Sequence, residues 1–62
     1  MGLRYDIVYI HPEDGIDVAA RATHLHDAKM VAEIFAASDG ALYGVVDRET
    51  STYVHTTGHD LS

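Results

Sequence analysis

Only one stretch of this chain, Thr23 to Gly40, carries helical periodicity, so the rest must be arranged around a single helix. At about 100° per residue, Ala28, Val31, Ala32, Ile34 and Phe35 fall on one broad face. Lys29, Glu33, Ala36 and Ala37 fall on the other. Thr23 or His24 occupies the N-cap position, and Asp27 puts a carboxylate near the positive end of the helix dipole. Ser38-Asp39-Gly40 is a stop signal, with Gly40 suited to the left-handed conformation past the last turn. The spacing predicts a helix over 24–38.

The flanking segments read as strands. Residues 3–11 (LRYDIVYIH) are rich in β-branched and aromatic side chains and end at Pro12. Apolar residues on both faces of this segment predict a central position in a sheet. Pro12-Glu13-Asp14-Gly15 has turn chemistry, Asp-Gly supplying a positive φ. Residues 16–22 alternate, with Ile16, Val18, Ala20 and Ala22 in one row, as expected of an edge strand. Residues 41–48 (ALYGVVDR) form a third strand, in which Gly44 marks a bulge or close packing under the helix. After a turn at Arg48–Ser51, residues 52–57 form a fourth strand and 58–62 a tail. The predicted fold is α+β: ββαββ, a mainly antiparallel four-stranded sheet of order 2-1-3-4 with the helix on one face. All of it forms one small domain, 1–62.

Two groups of residues can be set beside known families. They are Thr23, Asp27, Ala28 and Ala32 at the helix start, then Tyr43, Val45, Val46, Asp47, Arg48 and Thr50 around the second hairpin. Together with the order of elements, this pattern resembles small uncharacterised bacterial ββαββ proteins. The resemblance implies the fold and brings no activity or site residue with it.

Composition narrows the function classes. At 62 residues a domain buries only roughly 60 % of the surface its unfolded chain exposes, so self-association is an available source of stability. The absence of cysteine excludes disulfides and thiolate zinc sites. No apolar run is long enough to span a membrane. The opening MGLRYD has no secretory core, and Asp6 departs from the myristoylation pattern, so a cytoplasmic protein is expected. Ten acidic against four basic residues give a net charge of −6. With Arg4, Arg21, Lys29 and Arg48 dispersed along the chain, nucleic-acid binding is not expected.

No catalytic motif is present: no nucleophile elbow, phosphate loop or paired-carboxylate signature. The expectation is therefore a non-enzymatic protein without a cofactor. Five histidines are the strongest hint of chemistry, with His24, His26 and His55 as metal-ligand candidates. His24 and His26 stand about 200° apart around a helix, and the His55/His59 spacing suits a helix where strand and tail are predicted. No metal site is therefore assigned, and a histidine-based ligand- or metal-binding module is the alternative reading. The tyrosines carry the preferred one. One helix covers one sheet face, and Tyr5, Tyr9, Tyr43, Val45 and Tyr53 are expected on the other. There they would form a homodimer or partner interface. The alternative for the tyrosines is that they ring the helix-side core with their hydroxyls at its rim. Stacking of nucleic-acid bases on those rings is the third reading, opposed by the acidic charge.

Overall fold

The computed structural model describes residues 2–57. It contains β1 (Tyr5–His11), β2 (Gly15–Ala22), α1 (Leu25–Asp39), β3 (Leu42–Asp47) and β4 (Thr52–Thr56). The four strands form one antiparallel sheet of order β2-β1-β3-β4. The predicted α+β class, element order and strand order are all present. The tail, with His59, lies outside the described residues.

Helix α1 begins at His24, which has extended backbone angles (φ −112°, ψ 142°) but makes no side-chain capping bond. It ends as its sequence dictates: Gly40 takes φ 70° and its N–H donates to the Ala36 carbonyl at 2.8 Å. The helix presents Ala28 and Ala32, both fully buried, to the sheet. Two methyl side chains let the helix lie close, so large residues must fill the space from the sheet side. Tyr5, Ile7, Tyr43 and Val45 do so, with Tyr9, Val31 and Phe35 packed at the margin. The Tyr43 ring lies 5.5 Å from both Tyr9, its cross-strand partner, and Phe35, meeting Phe35 edge-on. Ile34, placed by periodicity on the core face, is instead exposed on the outer side of the helix.

Both hairpins put a left-handed residue at the end of the turn and a bulge in the strand that follows. Gly15 (φ 96°) opens β2, and Ser51 (φ 59°) precedes β4. In β2 the register passes from Val8↔Val18 to Ile7↔Ala20, so Ala19 is the extra residue. In β4 it passes from Val46↔Tyr53 to Val45↔His55, so Val54 is extra. A side-chain period of two means that one inserted residue exchanges the faces on its two sides. Ile16 and Val18 consequently face away from the helix, whereas Ala20 and Ala22 pack beneath it. The single apolar row read from the sequence is divided between two faces. Gly44 differs from expectation in the same way. A Cβ there would meet the Tyr53 ring at 2.7 Å on the face opposite the helix. The glycine makes room for an aromatic ring lying across it from the neighbouring strand.

Truncation of the fully buried Ile7 to alanine is expected to destabilise the fold by about 3 kcal/mol, measured by urea denaturation. Ser51→Gly, which relieves a left-handed backbone at a side-chain-bearing residue, should instead stabilise it by about 0.5–1 kcal/mol in the same assay.

Candidate functional site: the uncovered sheet face

Among the described residues, no element covers the face of the sheet opposite α1. Register places three rows of side chains on it. Ile10 stands between Ile16 and Leu42. Val8 stands between Val18 and Gly44, the latter overlain by Tyr53. Asp6 stands between Arg21 and Val46. Ile16, Val18, Leu42 and Tyr53 are 48 %, 49 %, 47 % and 49 % exposed. At their centre Val8 is 2 % exposed, shielded by its neighbours alone. This is one continuous apolar surface rather than scattered side chains.

Four of the five residues expected at an interface lie elsewhere. Tyr5, Tyr43 and Val45 are buried beneath the helix and Tyr9 is packed against the same core, so only Tyr53 is on the uncovered face. The physical reason is complementarity: an alanine-faced helix needs large partners, and the tyrosine-bearing rows of β1 and β3 supply them. Ile16 and Val18 were missed because the bulge in β2 is invisible to strict alternation, and Ile10, Leu42 and Val46 because the tyrosine-bearing rows of β1 and β3 were expected on that face. A signal was present in β2, where large Ile16 and Val18 and small Ala20 and Ala22 cannot all fit one gap beneath a close-lying helix.

One end of the sheet gathers the arginine–carboxylate pairs of the described residues. Arg21 Nε donates to Asp6 Oδ1 at 3.1 Å, and Arg48 Nε lies 3.9 Å from Asp6 Oδ2. Arg4 forms a two-pronged pair with the buried Asp47, Nε to Oδ1 at 3.1 Å and Nη2 to Oδ2 at 3.0 Å, and also approaches Glu49 at 3.2 Å. Three arginines dispersed in sequence therefore converge in space, each against a carboxylate. Asp47 Oδ1 also accepts the Glu49 N–H at 2.9 Å, which closes the β3–β4 turn locally. The Arg4 guanidinium, followed by that backbone bond, holds the Asp47 carboxyl below the usual carboxylate range.

At the other end, the Tyr43 hydroxyl donates to Asp39 Oδ2 at 2.5 Å. Asp39 is the last residue of α1, where the helix dipole disfavours a carboxylate, and the tyrosine proton offsets that. This bond and the partial burial of the ring push the Tyr43 hydroxyl up to about 12.

The histidine candidates do not converge on a metal. His24 and His26 are exposed at the start of α1, and His55 lies 2.8 Å from Glu33 Oε2, tying β4 to the helix. Among the described residues no group of three His, Cys, Asp or Glu side chains could hold a metal ion. No described helix is long and apolar enough to cross a membrane. Comparisons with family models, curated proteins and solved structures gave no match.

Two pH dependences follow. Asp47 is held below its ordinary value of 3.8, so its contribution is present above that value and is lost as pH falls below it. Asp47→Asn should lower the melting temperature at neutral pH and flatten the acid limb of a stability–pH curve. Tyr43 moves the opposite way. Its contribution is complete below pH 10 and is lost as pH rises from 10 towards 12. Tyr43→Phe should remove that alkaline limb, measured by thermal melts across this range.

Proposed function

We propose that this is a non-enzymatic protein that acts through protein contacts, and that a second copy of the chain covers the uncovered sheet face to form a homodimer. The observation that carries the reading is the continuous apolar surface of Ile10, Ile16, Val18, Leu42 and Tyr53 around the shielded Val8. Four strands about 4.8 Å apart and some six residues long make a face roughly 20 Å square. Two such faces pressed together bury on the order of 1,000 Å², the low end for specific association. A chain this small gains from that burial, since its own core is one layer of side chains between a helix and a sheet. The sheet edges favour face-to-face rather than edge-to-edge pairing. Both β2 and β4 are bulged, and β2 also carries Asp17 and Arg21, features that discourage strand addition. A cytoplasmic location belongs to this proposal.

The outer side of α1 is the other exposed apolar region, with Leu25, Met30 and Ile34. It is a narrow strip interrupted by Lys29 and Glu33, which makes it the weaker interface candidate.

Sedimentation equilibrium across a concentration series tests the reading. The wild type should show a reversible dimer. Val18→Lys and Leu42→Lys should each give a folded monomer, whereas Met30→Lys on the helix should leave the dimer unchanged. A wild type that is monomeric throughout, or a dimer split only by Met30→Lys, would overturn it.

A further inference from the structure

Charge is distributed along the strands in a way that selects one orientation for the second copy. On the uncovered face, Arg21 and Arg48 share the single carboxylate Asp6. Counting the neighbouring Arg4, Asp47 and Glu49, three arginines match three carboxylates, so the net charge of −6 is carried by the rest of the chain. The β1–β2 turn at the opposite end holds Glu13 and Asp14, exposed and without an ion-pair partner among the described residues.

The apolar surface is off-centre on the sheet. It consists of the Ile10 and Val8 rows, which stand next to the acidic turn, while the Asp6 row at the arginine end is charged. Rows two residues apart are separated by about 7 Å. A two-fold axis in the interface that matches apolar to apolar can run across the strands, between the Ile10 and Val8 rows, or along the strands. An axis along the strands stacks like ends, setting the charge-balanced arginine end on itself and the uncompensated acidic turn on acidic turn. An axis across them reverses the partner. The Ile10 row of each copy then lies on the Val8 row of the other. The Asp6 row overhangs the end of the partner's sheet, where the Glu13–Asp14 turn lies.

Resting on the dimer reading above, we infer that two copies pack face to face with their strands reversed. Arg21 and Arg48 of each copy are set against Glu13 and Asp14 of the other. An isologous interface makes this contact twice. Complementary charges of this kind orient association and penalise the wrong register.

Complementary charge reversal tests the orientation in the full chain. Glu13→Lys/Asp14→Lys alters only an exposed turn, and Arg21→Glu/Arg48→Glu alters the other end. Each should weaken self-association by at least about tenfold in sedimentation equilibrium at low salt, with circular dichroism melts to confirm folding. Mixing the two variants should restore association as a heterodimer. If the arginine variant does not fold, the lysine variant alone must still show the weakening. A dimer that is split by Val18→Lys but indifferent to both reversals overturns the orientation and leaves the sheet-face reading standing. A monomeric wild type overturns both.

Discussion

One helix can cover one face of a four-stranded sheet, and the architecture of this chain follows from how its side chains are divided between the two faces. The division is made by Ala28 and Ala32. Because the helix meets the sheet through methyl groups, it lies close, and Tyr5, Ile7, Tyr43 and Val45 become its necessary complement. Once those residues are spent on the core, the opposite rows of the same strands are left uncovered. Apart from Asp6, those rows are also apolar: Val8, Ile10, Leu42 and Val46 carry no charge.

The bulges at Ala19 and Val54 complete the partition. Each lies in an edge strand and exchanges faces partway along it, sending large residues out and small or polar ones in. In β2 this moves Ile16 and Val18 to the uncovered side. In β4 it separates Tyr53, which lies over Gly44, from His55, which reaches Glu33 on the helix. The same device blunts both edges, which discourages strand addition. Polar groups at the periphery are satisfied internally: the Arg4–Asp47 pair anchors one end of the sheet and the Tyr43–Asp39 bond the other.

Much of the fold was legible in the sequence because its signals are local. Pro12 and Gly15 mark the first turn, Gly40 ends the helix, and the doubly apolar β1 and β3 announce a sheet centre, from which the order 2-1-3-4 follows. The allocation of faces was not legible by alternation alone. The tyrosines of β1 and β3 were expected outside and belong inside, because the size match with an alanine-faced helix outweighs their preference for interfaces. The spatial gathering of Arg4, Arg21 and Arg48 was hidden for a different reason. It depends on β1, β2 and β3 meeting at one end of the sheet, which no short window of sequence reveals. Among the histidines, the sequence supplied abundance without convergence, and the fold places His24 and His26 apart from any third ligand among the described residues.

The account turns on the two-faced partition created by the bulges, and nuclear Overhauser contacts in the folded protein measure it directly. It predicts contacts from the Tyr53 ring to the Ile10 δ-methyl and Gly44 protons, and from the Val18 methyls to those of Val8, with the rings of Tyr43 and Tyr9 reporting instead to Phe35 and each other. Contacts from Tyr53 or Val18 to the Ala28 and Ala32 methyls of the helix would contradict it, since both residues would then belong to the core and the uncovered face would lose its apolar surface.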